Sequence, residues 1–196
     1  MKFLKIFEKF NTNDINTESD LISKLIDYSV PVDCWGTGSS KNVRHLLKEI
    51  LEEECEVVEE GGYLVRYIEF VGVRVYYRDK NSEKWALVED RQEFKDGRVR
   101  ERNMQSSVSE KMKFGEDPVM SAIRGVEEEL GIEISESQLL KRRDIFYDQG
   151  SMSYPGLKTK YKGHQFTCWL NDSQFDKDGY VEEQEDKSTF FKWIKR

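Results

Sequence analysis

The 196-residue chain has no apolar run approaching the ~20 residues that span a bilayer as a helix, which excludes a helical membrane protein. Cysteine and histidine are scarce: Cys34, Cys55 and Cys168, with His45 and His164. No CxxC or HxxxH pair occurs, so neither a zinc site nor a disulfide framework is expected. A reducing, cytoplasmic setting fits this usage. An excess of positive charge is missing too, with 31 Lys plus Arg against 38 Asp plus Glu and a formal net charge of −7. A phosphate backbone demands a cationic face, so general nucleic-acid binding is excluded. The opening MKFLKIFEKF has no uninterrupted apolar core and is a poor signal peptide. Its Phe3, Phe7 and Phe10 recur at helical spacing and predict a short amphipathic helix covering the core. WGTGSSK lacks the Gly-Lys-Ser/Thr ending of a phosphate loop and follows no buried strand, so it reads as a turn.

What is present suffices for a core. Leu, Ile, Val and Phe number 50 of the 196 residues. Residues 18–29 and 40–53 carry apolar side chains at helical spacing, the second stretch with Ser40 as a candidate cap. From residue 55 the period changes to alternation rich in β-branched and aromatic residues, with turns at Gly61-Gly62, Lys80–Ser82 and Lys95–Gly97. A loop over about 103–116 leads to a helix at 118–130, and further strands follow near 138–148, 158–170 and 188–195. This order predicts an α/β fold with a mixed sheet, preceded by N-terminal helices. The expected division is a helical extension over 1–54 that packs on a main domain over 55–196.

The chemistry concentrates in Gly115–Ile132. Asp117 suits an N-cap, Pro118 the first helical position and Gly131 a left-handed stop. At 100° per residue, Val119, Ile123, Val126 and Leu130 form one stripe expected to face the core. Arg124, Gly125, Glu128 and Glu129 fall opposite, and Arg124 can pair with Glu128 one turn on. Glu127, Glu128 and Glu129 crowd the negative end of the macrodipole, where each acid is disfavoured by roughly 0.3–1 kcal/mol. A bound divalent cation would reverse that electrostatics; a solvated acidic face is the alternative.

The segment Glu110–Ile132 resembles the Nudix box, G-x5-E-x7-R-E-U-x-E-E-x-G-U with U a bulky aliphatic. Glu116, Arg124, Val126, Glu128, Glu129, Gly131 and Ile132 match it. Two positions depart: Glu110 replaces the leading Gly, and Gly125 replaces the Glu after Arg. The strand order and the closing STFFKWI extend the likeness over about 55–196. The resemblance implies a three-layer α/β/α sandwich. It implies a pyrophosphohydrolase that uses Mg²⁺ or Mn²⁺ to cleave a nucleoside diphosphate linked to another group. Glu116, Glu128 and Glu129 would hold the metal, with Arg124 in the catalytic set, and a homodimer is common among such proteins. The missing carboxylate at 125 favours the alternative of a catalytically impaired module that binds a nucleotide, a capped RNA end or a protein. Glu110 could compensate, and Glu182, Glu183 and Glu185 are candidate replacement bases. Arg98, Arg100 and Arg102 alternate along one strand and, with Lys111 and Lys113 beside the box, are candidates for phosphate binding. Tyr147, Tyr154, Tyr161, Phe166 and Trp169 could stack a base, SYPGLKTKY reads as a loop near the site opening, and His164 reads as a packed strand residue.

Overall fold

Short polar side chains that fold back on the backbone start the helices. The computed structural model describes residues 15, 17–38, 40–101 and 107–196; the expected helix over the first ten residues and Arg102 lie outside them. Thr17 and Asp20 form a reciprocal capping box that opens α1, Glu18–Asp27. Helix α2, Val43–Leu51, starts two residues later than Ser40 would place it. Asn42 accepts the His45 N–H and is the cap, while the Ser40 hydroxyl donates to the Thr37 carbonyl at 2.7 Å. Two strands follow, β1 (Glu56–Glu60) and β2 (Tyr63–Arg78), paired antiparallel around the Gly61-Gly62 turn. Next come β3 (Lys84–Phe94), β4 (Val99–Glu101) and β5 (Val108–Lys111). Helix α3 spans Pro118–Leu130, and β6 (Leu139–Gly150), β7 (Lys158–Leu170), β8 (Tyr180–Glu183) and β9 (Lys187–Lys195) complete the chain.

The fold is mixed α/β. Among the described residues nine strands form one sheet in the order β6-β7-β2-β3-β9-β8, with β1 and β5 pairing to β2 and β4 to β3. Two strands were not visible as such in the sequence. β5 lies inside the stretch expected to be a loop, and β8 inside the acidic run before the last strand. No helix among the described residues is long and apolar enough to cross a membrane.

The chain divides into two compact units. Of the described residues, the first holds those from 15 to 69, 112–115 and 145–162. Its core joins Leu21 and Leu25 of α1, Leu46 of α2, Val57 of β1 and Leu64 of β2. Tyr154 and Leu157 belong to this core, so SYPGLKTKY is anchored rather than open: Tyr154 is fully buried and Trp35 Nε1 donates to the Pro155 carbonyl at 2.8 Å. Within it, the buried Glu49 carboxylate meets the buried Arg66 guanidinium, and Lys41 reaches Glu49 at 2.8 Å. Of the described residues, the second unit holds 70–101, 107–111, 116–144 and 163–196. Alternate residues Val71, Val73 and Val75 of β2 are buried with Phe166 and Cys168 of β7 and Val126 of α3. Helix α3 lies against β5 and β8.

Candidate active site

Helix α3 is capped at both ends as its sequence dictates. Asp117 Oδ1 accepts the N–H groups of Val119 and Met120 at 2.8 and 3.2 Å, and Gly131 closes the helix at φ +66°. The buried face differs from the expected stripe. Ser121, Ala122, Gly125, Val126 and Leu130 are buried, while Val119 and Ile123 are only half-buried. The cause is β5, which packs against the Gly125 side and turns that side inward.

Arg124 organises the segment. Its five N–H groups all have acceptors. Nε and Nη2 form a fork on Glu116 at 3.1 and 3.2 Å, and Nη2 also reaches the Lys111 carbonyl at 3.1 Å. Nη1 binds Glu110 at 2.8 Å and Glu128 at 3.3 Å. Partial burial lowers the guanidinium pKa, but the bonds to Glu116 and Glu110 outweigh it and raise the value.

Beside this arginine lies a cavity of about 270 Å³, lined by Glu89, Glu110, Glu128, Glu129 and Glu182, one lysine (Lys187), and Gln92, Gln184, Ser107, Ser109 and Thr189. No lining side chain among the described residues is apolar. Burial drives the Glu129 pKa up to about 8, opposed by the Ser109 N–H at 3.1 Å and reinforced by Glu182, Glu110 and Glu89. The bulge in β3 shapes this floor. Register with β9 shifts between Glu89 and Arg91, so Glu89 and Gln92, three residues apart, both face the cavity. A regular strand would send them to opposite faces. Across the strands, Arg100 pairs with Gln92, Gln92 with Thr189, and Thr189 with Glu182. Directly paired residues share a face, so Arg100 is the outer end of a row whose other three members line the cavity. Thr189 is 2% exposed, and its hydroxyl has no hydrogen-bond partner among the described residues.

The candidate residues distribute as follows. Glu128, Glu129 and Glu182 line the cavity, whereas Glu116 does not and holds Arg124 instead. Glu183 accepts from Ser188 at 2.6 Å outside the lining, and Glu185 is exposed. Arg98 is 69% exposed in its side chain and pairs with Asp96. Arg100 is exposed on β4, Lys111 offers Arg124 its carbonyl, and Lys113 is exposed. None of the aromatic candidates lines the cavity: Tyr154 and Phe166 are buried, Tyr147 stacks on Tyr161, and Trp169 on Tyr76. His164 is packed on β7 with Nδ1 2.8 Å from Asp144. Glu89, Gln92, Ser107, Ser109, Gln184, Lys187 and Thr189 carried no motif, and only cross-strand register brings them here.

No family model and no curated protein matches the sequence. Solved structures similar to this chain include a MutT/nudix family protein and a Nudix hydrolase from M. smegmatis. A MutT/nudix family protein from Enterococcus faecalis is 11% identical over 78% of this chain and 50% of its own, with a TM-score of 0.45. This chain thus spans half the length of that protein. The E. coli dihydroneopterin triphosphate pyrophosphohydrolase is 20% identical over 64% of this chain and 79% of its own, at a TM-score of 0.39. MERS1 of T. brucei, solved in complex with RNA, is 18% identical over 51% of this chain and 34% of its own, at 0.32. At these values the functional reading rests on the residues themselves.

Proposed function

We propose that the cavity binds a divalent cation, Mg²⁺ or Mn²⁺, with the phosphates of a nucleoside diphosphate linked to a further group, and that the chain hydrolyses a phosphoanhydride bond of that molecule. The carrying observation is a cavity lined, among the described residues, by five carboxylates, one ammonium and otherwise neutral polar side chains. Two like charges ~5 Å apart repel by roughly 3 kcal/mol at an effective dielectric of about 20, so an empty acidic cavity is costly and a hard cation relieves it. The donors fit such an ion, because all are oxygens. Among the described residues, no group of three His, Cys, Asp or Glu is placed to hold a metal ion. Magnesium tolerates this, since it usually takes one or two carboxylates and completes its shell with water and substrate phosphates.

Glu128 and Glu129 would hold the ion, and Glu116 supports them through Arg124. When bound, the ion neutralises phosphate oxygens and acidifies a water. The chain's own groups do the rest. Glu182 faces the cavity beside Thr189 and is the best-placed candidate base. Lys187, with Arg100 at the end of the cross-strand row, offers positive charge to phosphate oxygens. Among the described residues no aromatic side chain lines the cavity, so a nucleobase would stack on none of them there. The β6 strand ends the sheet order and is exposed at ten of its twelve positions, which fits a homodimer pairing there, in a cytoplasmic setting.

Incubation with dinucleotides, nucleoside triphosphates, nucleotide sugars and capped RNA in Mg²⁺ or Mn²⁺ tests the reading. Cleavage that falls at least about a hundredfold in Glu129→Gln supports it. A second reading, a nucleotide or capped-RNA binding module without turnover, is favoured by the lack of a three-acid group. It would show thermal stabilisation by ligand without product.

A further inference from the structure

A hydroxyl buried without a hydrogen bond costs stability, because nothing replaces the water it has left. Two of the hydroxyls that line the cavity are buried, and they differ in this respect. Ser107 accepts the Val75 N–H at 3.0 Å and donates to the Leu87 carbonyl at 2.7 Å, a bridge that serves the sheet. Thr189 is 2% exposed, and its Oγ1 has no hydrogen-bond partner among the described residues. Valine has the same shape, suits a strand as well and carries no polar atom. Packing alone therefore does not call for threonine at this position.

The neighbours of Thr189 show what its hydroxyl can serve. It stands between Gln92 of β3 and Glu182 of β8, paired directly with each, and all three line the cavity. Directly paired side chains leave the sheet ~4.5–5.5 Å apart. That is about the separation of two groups that share one water at ~2.8 Å from each. Gln184 Nε2 donates to Glu182 Oε1 and steadies that carboxylate, which keeps Oε2 as its second acceptor. A hydroxyl and a carboxylate oxygen on adjacent strands thus open on one polar cavity.

We propose that Thr189 and Glu182 together seat the water that attacks phosphorus. This rests on the cavity being the site of phosphoanhydride hydrolysis. The water donates one O–H to Thr189 Oγ1 and the other to Glu182, which turns its lone pair toward the phosphorus. As the new O–P bond forms, the anhydride P–O bond breaks and its electron pair departs with the leaving phosphate. The proton passes to Glu182. Thr189 transfers no proton and fixes only the direction of attack.

Kinetics and thermal unfolding of full-length variants test the assignment, with whichever dinucleotide, nucleoside triphosphate, nucleotide sugar or capped RNA the wild type cleaves. Thr189→Val is expected to lower kcat by about tenfold or more with KM unchanged. Thr189→Ser, which keeps the hydroxyl, is expected to recover most of that loss. Without substrate, the Thr189→Val protein is expected to melt at or above the wild-type Tm, since it loses a buried hydroxyl that bonds to nothing. The double variant Thr189→Val/Glu182→Gln is expected to be no more than about threefold slower than Glu182→Gln, because both side chains act on one water. Three results each overturn the proposal: wild-type turnover in Thr189→Val, a Tm well below wild type in that variant, or losses that multiply in the double variant. Loss of cleavage in Glu129→Gln would then leave the hydrolase reading intact. If the wild-type chain cleaves none of these compounds, both fall.

Discussion

Arg124 shows how a single side chain can fix several others. Its planar fork uses every N–H, and three acids plus one carbonyl depend on that geometry. Lysine has the charge but not the fork. Arg124→Lys is expected to lower unfolding stability by roughly 1–3 kcal/mol in urea titration, from lost charge-assisted bonds, and to reduce turnover further through misplaced Glu128. The Arg124–Glu128 contact was legible from the four-residue spacing. The contacts to Glu110 and Lys111 were not, because β5 lies 13 and 14 residues away and its packing is tertiary. Glu129 gives a pH signature in chelator. Its pKa rises from 4.5 unfolded to about 8 folded, so the folded state binds the proton more tightly. The Glu129 contribution to stability is therefore fully present below 4.5, falls as pH rises through that interval, and is lost, a few kcal/mol in all, by about 8. Glu129→Gln should flatten the profile and be the more stable protein at pH 8, as read by thermal unfolding in EDTA. A wild-type profile that is flat from 4.5 to 8 would contradict the burial assigned to Glu129.

Element by element, the long and strongly patterned segments were readable and the short ones were not. α3 begins and ends at the residues its caps demand, because Asp117, Pro118 and Gly131 act locally. Asp117→Ala should cost about 1 kcal/mol of stability in denaturant titration, with the loss expressed at the start of the helix that carries Arg124. A change within experimental error would mean that tertiary packing alone sets the helix start. The four-residue strands β5 and β8 are too short for alternation to announce them, and they exist because β2 and β9 offer them an edge. The bulge at Asp90 is invisible for a related reason. Only the pairing with β9 reveals that Glu89 and Gln92 share a face. Three of the five lining carboxylates, Glu110, Glu128 and Glu129, therefore come from the box, while Glu89, Gln92, Thr189 and Glu182 arrive through strand register.

At the scale of the whole molecule, α1 and α2 belong to the first unit and share its core with β1, β2 and the Tyr154 loop. Glu49 and Arg66 sit inside that unit, both nearly inaccessible to solvent. Removing one partner strands a buried charge, which typically costs ~3–5 kcal/mol. Glu49→Ala should therefore unfold far more easily than wild type in urea, and a loss under ~1 kcal/mol would show the pair to be hydrated. The second unit contains every residue that lines the cavity, so the functional account depends on that unit holding a cation. The most direct measurement is an anomalous-scattering map from crystals of the protein soaked in Mn²⁺ at pH 8. A peak in the cavity within coordination distance of Glu128 or Glu129, absent in Glu128→Gln/Glu129→Gln, is the expected result. A cavity without anomalous density in the wild-type protein would contradict it.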